Sequence, residues 1–353
     1  MAISNNDIYY NFLRCSLHNA NEVPFGVESI DWEEFYVYCS KHGVLGIVLD
    51  NLDKLGLKLP QDIMLQWIMV VEGLKNQNRI TNSRIKELIN YWDSTNHRCV
   101  VLKGQANATM YPKPELRCPG DIDLWVEGDE VEIIRQVISI CPDAPYSIHH
   151  VRMPVFKDVP VEVHYRPVYL SNWFNDKKLK NYIDRNREKQ FANKCVIDGM
   201  EVGCLTGSMN LVVQLLHMYS HFFGTRNNFK QLFDYYYLLR CTSNKDKKDL
   251  PELFKELGVL KYARGIMWIM KDVLGLEDDY LYVEPDEKVG QVILSETNRF
   301  GEYSQNTFVM ILQQFMYNLK LIRFFPSEVL ISPLFLGWHQ WWKYKTTRAL
   351  RRA

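Results

Sequence analysis

Three acidic side chains stand where the chain could hold a divalent cation. Asp121 and Asp123 alternate with Ile122 and Leu124, the period-2 pattern of a strand with one buried face. This alternation puts both aspartates on one side of the strand, about 7 Å apart along the backbone. Two carboxylates this close repel each other unless a cation lies between them, and oxygen ligands favour Mg²⁺ or Mn²⁺. The alternative is a polar strand end with two solvated aspartates.

Two neighbouring segments favour the metal site over that alternative. A second strand-like run, 159–166, presents Glu162 between two valines, so a third carboxylate could complete the site. Upstream, the apolar run 100–102 reads as a buried strand that leads into Lys103 and Gly104. A turn at this point could direct backbone amides and an ammonium group toward phosphates.

Histidines are the next candidates for contact with a substrate. His164 lies two residues after Glu162 on the predicted strand and therefore points to the same face. His149 and His150 are adjacent in another predicted strand, 146–156, so alternation sends only one of them toward the site, and His150 is the candidate. Each could orient an acceptor or a phosphate. A histidine that is hydrogen-bonded within the sheet is the alternative in each case.

The spacing of apolar residues divides the chain into three regions that position these side chains. Residues 1–96 have helical periodicity, 97–170 switch to a mixed α/β pattern, and 171–353 return to a mainly helical one, with a small hairpin near 195–204. We therefore predict an α+β fold, in which helical regions flank a small mixed β-sheet core on both sides.

Composition and charge narrow the classes of function. The 353 residues include 42 basic and 42 acidic side chains, and this neutral balance argues against a broad electrostatic grip on nucleic acid, so no nucleic acid template is expected. The 8 cysteines include no Cys-x-x-Cys pair, which suits reduced thiols. We find no signal peptide and no stretch of about 18 uncharged apolar residues. These features predict a reduced, soluble, cytoplasmic protein.

The order of the motifs resembles the DNA polymerase β-type nucleotidyltransferase superfamily. The shared features are a strand that ends in glycine, a short helix, a strand with alternating aspartates and a further acidic strand. Gln105 follows Gly104, where the superfamily usually has Ser or Gly. More narrowly, the chain resembles a bacterial family of uncharacterised nucleotidyltransferases in five motifs: Leu102-Lys103-Gly104, Tyr111-Pro112, Arg117, Gly120-Asp121-Ile122-Asp123-Leu124 and Glu162-Val163-His164.

This resemblance implies an enzyme that moves a nucleoside monophosphate from an NTP, with ATP the first guess, to a hydroxyl acceptor and releases pyrophosphate. The acceptor would be a small molecule, a sugar or a protein. It also implies two Mg²⁺ or Mn²⁺ ions, with Asp121 and Asp123 bridging both and Glu162 at the metal nearest the acceptor. The implied nucleotide- and phosphate-binding residues are Lys103, Gly104, Gln105, Arg117 and Gly120.

The resemblance extends to the C-terminal half, where His217, His221 and Asp234 fall at matching places. The two histidines are four residues apart on a predicted helix and share a face, which can suit a transition metal, but Met218 stands where a zinc protease has Glu. We interpret the three side chains as a polar cluster where the helical region meets the cleft and contacts nucleotide or acceptor. A structural hydrogen-bond network between two helices is the alternative.

Two other functions remain open on the same fold. One is a non-catalytic nucleotide-binding or regulatory module, and the other is a protein AMPylator or antitoxin-like enzyme. A pure binding module has no need of three like charges, so the carboxylate triad favours an enzyme, but it does not distinguish the acceptors.

The C-terminal segment combines aromatic and basic residues. Trp338, Trp341 and Trp342 precede five basic residues within 343–352, and no acidic residue follows Glu328. Such a segment could rest on an anionic membrane surface as a peripheral contact. Packing of the tryptophans onto preceding helices is the more common explanation.

Overall fold

A computed structural model of the chain describes residues 5–18, 22–301, 313 and 316–352. Helices precede the first strand, as the apolar spacing predicts: α1 (Asn5–His18), α2 (Trp32–His42), α3 (Leu45–Lys54) and α4 (Gln61–Ser94). The Asp31 carboxylate caps α2 by accepting hydrogen bonds from two backbone N–H groups, and Gly43 ends it at φ 69°. The first half of α4 packs in a helical core and its second half against the sheet.

Four strands form one mixed sheet in the order β1-β2-β4-β3. They are β1 (Cys99–Leu102), β2 (Ile122–Val126), β3 (His150–Arg152) and β4 (Val161–His164). β2 and β4 pair in parallel, and the outer strands run antiparallel to their neighbours. The sheet and its flanking helices confirm the α+β fold, although β3 is shorter than the predicted strand at 146–156.

The register of the strands decides which side chains share a face of the sheet. Asp123 pairs with Leu102 on one side and with Glu162 on the other, and Glu162 pairs with Arg152. Paired residues point to the same face, so the two carboxylates lie side by side. The opposite face is apolar and packs on α4 and on α6 (Glu130–Ile140). Burial of that face therefore fixes the carboxylates on the other one.

The rest of the chain is mainly helical. Its elements are α5 (Gly104–Ala108) after β1, then α7 (Trp173–Ala192), β5 (Lys194–Ile197), β6 (Met200–Gly203), α8 (Gly207–Phe223), α9 (Phe229–Cys241), α10 (Asn244–Lys247), α11 (Leu250–Glu256), α12 (Leu260–Trp268), α13 (Glu287–Asn298) and a C-terminal helix, Pro326–Arg352. The predicted hairpin near 195–204 is β5–β6, and Asp198 and Gly199 form its turn with positive φ.

The C-terminal helix packs against the sheet core through part of its aromatic segment. The indole Nε1 of Trp342 donates a 2.9 Å hydrogen bond to Glu130 of α6, and this tryptophan is buried. Trp341, its neighbour, is 57% exposed. Packing therefore accounts for Trp342. No helix in the described part of the chain combines the length and the apolar character that a membrane span requires.

Candidate active site

A cleft of about 510 Å³ lies between the sheet and helices α8 and α9. Its size falls within the range of small-molecule sites. From the strands and the loops that join them come Lys103, Gly104, Arg117, Gly120, Asp121, Asp123, His149, His150, Glu162 and His164. From the helical side come, among others, His217, His221, Lys230 and Asp234. All the residues predicted for the site line this one cleft, except Gln105.

The centre of the sheet wall is a carboxylate–histidine group. The candidate ligand atoms of Asp123, Glu162 and His164 all lie within 4.8 Å of one another, so this group could hold a metal ion. Asp123 is 5% exposed, and His164 Nε2 lies 2.8 Å from its Oδ1. Asp121 precedes β2 at the exposed rim of the cleft and is not a member of this group. Within the described residues, His164 and not Asp121 is therefore the third member of the group with Asp123 and Glu162.

The carboxylates of this group and of Asp121 repel one another, and a bound cation would reduce that repulsion. Burial by itself would raise the pKa of Asp123, but Lys103 and His164 outweigh it and hold that pKa well below the usual range. Lys103 Nζ lies 3.1 Å from Asp123 Oδ2. Repulsion by Asp123 raises the pKa of Asp121, and burial followed by repulsion from Asp123 raises the pKa of Glu162. Added positive charge would relieve this repulsion.

The turn after β1 has an unusual backbone. Lys103 has φ 44° and Gly104 has φ 37°, both in the left-handed region. Among the described residues beyond its chain neighbours and its own helix, a Cβ atom at Gly104 would meet one heavy atom within 4 Å, the backbone oxygen of Asp121 at 3.6 Å. The glycine is therefore required by backbone conformation rather than by lack of space. A lysine in this region is strained, and such strain is concentrated at functional sites.

Two of the predicted phosphate ligands have their side chains engaged elsewhere. Gln105 is buried and donates hydrogen bonds from Nε2 to Asn78 and Asn82 of α4, so its side chain points away from the cleft. Arg117 lines the cleft, but its guanidinium forms a bidentate ion pair with Asp234 at 2.7 Å for both contacts. Both groups of this pair are at least 95% buried. The guanidinium of Arg117 therefore stabilises the fold and is not free to bind a phosphate.

Histidines fill the outer part of the sheet wall. His150 Nε2 lies 3.5 Å from Glu162 Oε1, and His150 Nδ1 lies 3.0 Å from His149 Nε2. Burial, and then the proximity of His164, lower the pKa values of both rings, that of His150 to about 3. The prediction that only one of the adjacent pair faces the site is wrong. His149 lies in a bend before β3, where strand alternation does not apply.

Helix α8 places His217 and His221 on the opposite wall, with ring centroids 4.4 Å apart. His217 Nδ1 lies 3.3 Å from Lys103 Nζ, and His221 Nδ1 lies 2.6 Å from Thr225 Oγ1. Burial and then Lys103 lower the pKa of each, that of His221 to about 4. His217 and His221, two of the three residues of the predicted polar cluster, therefore lie where the helical region meets the cleft. Asp234 belongs to the separate ion pair with Arg117.

Comparison with known proteins gives the chain its family. Residues 28–275 match the family described as uncharacterised nucleotidyltransferase. The chain belongs to this family. No curated protein matches it. Among solved structures, it is similar to an antigenic nucleotidyltransferase-like protein from Paracoccidioides brasiliensis, with 14% identity over 60% of this chain and 96% of that chain and a TM-score of 0.36. The family resemblance drawn from the sequence motifs is confirmed.

In this nucleotidyltransferase, sequence reasoning missed one cation in the cleft. Lys230 lies in the first turn of α9 and is half-buried. A Cβ atom added to Gly120 would lie 3.6 Å from its Nζ, which places the ammonium beside the loop that precedes Asp121. A positive charge in the first turn of a helix opposes the helix dipole. Nothing in the local sequence distinguishes Lys230 from a surface lysine.

Proposed function

We propose that this nucleotidyltransferase moves a nucleoside monophosphate from an NTP to a hydroxyl group on a small molecule, a sugar or a protein, with divalent cations as cofactors. The observation that carries the proposal is the pair of carboxylates, Asp123 and Glu162, on adjacent parallel strands that face one cleft. Their position beside two lysines, in a chain of a nucleotidyltransferase family, supports this reaction over other uses of a carboxylate pair.

The reaction needs an acceptor oxygen to attack the α-phosphorus of the NTP. A bond forms between these two atoms, the bond from the α-phosphorus to the bridging oxygen of the β-phosphate breaks, and pyrophosphate leaves with that electron pair. The proton of the acceptor hydroxyl passes to a base. Glu162 suits this role, because burial and then repulsion from Asp123 raise its pKa, which makes it a better proton acceptor than an ordinary glutamate.

The residues present fit a hard divalent cation. Asp123 and Glu162 offer oxygen donors within 4.8 Å of each other. Lys103 lies 3.1 Å from Asp123, but burial and then repulsion from Asp123 still raise the pKa of Glu162, so a further positive charge would stabilise the pair. Asp121 can add a carboxylate from the rim. We propose Mg²⁺ or Mn²⁺, in two ions, which when bound would stabilise negative charge on the reacting phosphates.

Two lysines can hold the triphosphate. Lys103 lies deep in the cleft, with Asp123 and His217 within hydrogen-bonding distance of its Nζ. Lys230 faces it from α9, and no hydrogen bond or ion pair of its ammonium is found within the described residues. Each ammonium has three donors, which suits phosphate oxygens. Lys230 takes the role that the sequence assigned to Arg117, since Arg117 is paired with Asp234.

The proposal is tested by incubating the protein with each of the four NTPs and Mg²⁺ or Mn²⁺, following pyrophosphate release and thermal shift. The carboxylate variant is Asp121→Asn/Asp123→Asn, and the matched control is Asp279→Asn, an exposed aspartate far from the cleft in sequence. We expect one NTP to raise the melting temperature and release pyrophosphate when an acceptor is supplied. Both effects should be lost in the carboxylate variant and kept in the control.

Two results would count against the proposal. A thermal shift that is identical in the carboxylate variant and in the wild type would show that the nucleotide binds without a metal ion held by these carboxylates. Nucleotide binding without pyrophosphate release under any acceptor would favour a nucleotide-binding module instead. Release that requires a protein hydroxyl as acceptor would identify a protein-modifying enzyme with the same site.

A further inference from the structure

Three imidazole rings are packed together next to the carboxylates. The ring centroids of His149 and His150 are 4.4 Å apart, and His164 lies 5.3 Å from the first and 5.2 Å from the second. One nitrogen from each ring lies within 4.8 Å of the other two, so the three rings could hold one ion between them. The three come from different parts of the sheet wall: a bend, β3 and β4.

The outer nitrogens of these rings already have oxygen neighbours. His164 Nε2 lies 2.8 Å from Asp123 Oδ1, and His150 Nε2 lies 3.5 Å from Glu162 Oε1. His149 Nδ1 lies 3.3 Å from Ser147 Oγ, which is also 3.3 Å from His150 Nδ1. Metal-binding histidines usually have one nitrogen on the ion and the other bonded to a carboxylate, carbonyl or water. The arrangement here matches that pattern for His164 and His150.

The Nδ1 atom of His164 is the strongest indication that these histidines bind a ligand. An ionised carboxylate only accepts hydrogen bonds, so the bond to Asp123 requires the proton of His164 to be on Nε2. In a neutral ring, Nδ1 then carries a lone pair. This atom is inaccessible to solvent and has no hydrogen-bond partner within the described residues, and His164 is 1% exposed. A buried polar atom without a partner is rare in folded proteins and calls for a ligand.

Hydrogen bonds among the three imidazoles do not give Nδ1 of His164 a partner. One N–H···N hydrogen bond accounts for the 3.0 Å separation between His150 Nδ1 and His149 Nε2. It leaves Nδ1 of His164 unpaired. Two nitrogens bound to one ion at about 2.0–2.1 Å also lie roughly 3 Å apart, so a shared ion accounts for the same separation and for the third nitrogen as well.

We propose that His149, His150 and His164 form a second metal site, which binds a nitrogen-preferring divalent transition-metal ion of the Zn²⁺ class. Imidazole ligands suit such ions, whereas oxygen ligands suit Mg²⁺ and Mn²⁺. Asp123 orients the histidine of this site and belongs to the carboxylate site as well. The two sites therefore adjoin but differ in ligand chemistry. Three protein ligands leave a position for water or substrate.

The test is a metal titration in the absence of nucleotide. The full-length protein, freed of metal by a chelator, is titrated with Zn²⁺ by calorimetry and with Co²⁺ by visible absorption, which reports the ligands of the ion. We expect one equivalent of Co²⁺ with a nitrogen-ligand spectrum that excess Mg²⁺ does not displace. His149→Ala/His150→Ala should weaken binding by more than about 100-fold, because loss of an outer-shell partner alone costs about 10–100-fold.

The control is His221→Ala, which removes a cleft histidine outside the group and should leave the Co²⁺ spectrum and affinity unchanged. His149→Gln/His150→Asn keeps polar side chains and guards against loss of fold, which circular dichroism checks. Absence of a Co²⁺ band, binding that is unchanged in both histidine variants, or displacement by Mg²⁺ would each overturn the proposal. The readout needs no NTP, so it can fail or succeed independently of nucleotidyl transfer.

Discussion

The two walls of the cleft differ in how their polar side chains are held and in the charge they present. The sheet wall carries the carboxylates Asp123 and Glu162 and three imidazoles, and each contacts another polar group of the same wall. The helical wall presents the ammonium of Lys230 and the imidazoles of α8, while the carboxylate of Asp234 on this wall is neutralised by Arg117. The proposed cation ligands thus lie on the sheet wall, and Lys230, one of the two lysines proposed to bind phosphate, lies on the helical wall.

This difference reflects how the two walls are built. Register fixes the sheet side chains, because a strand that slips by one residue would bury its carboxylates in the apolar core. On the helical side, the buried contacts that hold α9 include the ion pair between Arg117, from the loop before β2, and Asp234 on α9. Tyr111 adds a 2.6 Å hydrogen bond to the same carboxylate. The proposed catalytic residues therefore lie on the sheet, and this ion pair helps to hold α9 against it.

The largest effect is expected on the sheet wall, at Glu162. If this carboxylate accepts the acceptor proton, Glu162→Gln should reduce kcat by about 10²–10⁴-fold. The base must be ionised, so the wild-type rate should rise with pH through the pKa of Glu162 and level off above it. Burial and Asp123 raise that pKa, whereas bound cations lower it, so this limb should move to lower pH as the Mg²⁺ concentration increases. The pH profile of kcat, measured by pyrophosphate release, checks both points.

Glu256→Gln, at an exposed position on α11, is the matched control and should keep the wild-type profile. An acid limb that persists unchanged in Glu162→Gln would assign the proton to another group. In that case Glu162 would bind cations without accepting the proton. The two walls would then differ in their charge but not in a catalytic role.

The sheet wall was also the part that the sequence predicted best. Alternation in 121–126 and 161–164 identified which side chains share a face, since a period of two residues is visible in the sequence alone. The prediction failed for His149, because the boundary between the bend and β3 is not encoded in that period. It did not identify Lys230, and it assigned Arg117 to phosphate. Both depend on which residue α9 brings to the cleft, which is set by tertiary packing.

A second prediction concerns the contact that aligns the walls. Arg117→Ala leaves the carboxylate of Asp234 buried without its partner and should lower the free energy of unfolding by about 3–5 kcal/mol. Replacing both residues by apolar ones, as in Arg117→Met/Asp234→Leu, should recover most of that loss, since no unpaired charge remains. Urea-induced unfolding measures both variants.

An exposed pair provides the reference for this effect. Lys255→Ala breaks a contact between Lys255 and Glu252, both about two-thirds exposed, and should cost less than about 1 kcal/mol. If Arg117→Ala were as mild as Lys255→Ala, the buried pair would not hold α9 in place. The helical wall would then need another anchor.

The smallest effect is expected from Lys230, and it separates function from fold within the helical wall. Loss of a charge-assisted hydrogen bond of about 1.5–3 kcal/mol should reduce kcat/KM for the NTP by roughly 10–100-fold in Lys230→Ala, with the pH profile of Glu162 unchanged. Lys288→Ala is the matched control, because Lys288 occupies the same second position of a helix, α13, and is exposed. Steady-state kinetics with saturating acceptor gives the ratio.

The free energies of unfolding of Lys230→Ala and Lys288→Ala separate an effect on stability from an effect on activity. Both lysines oppose a helix dipole, so each alanine variant should be more stable than the wild type by about 0.3–1 kcal/mol. Only Lys230→Ala should combine higher stability with lower activity. This combination is expected of a side chain that binds a ligand but destabilises its own helix. Equal kinetics in the two variants would leave Lys103 as the phosphate ligand and make the helical wall a purely structural partner of the sheet.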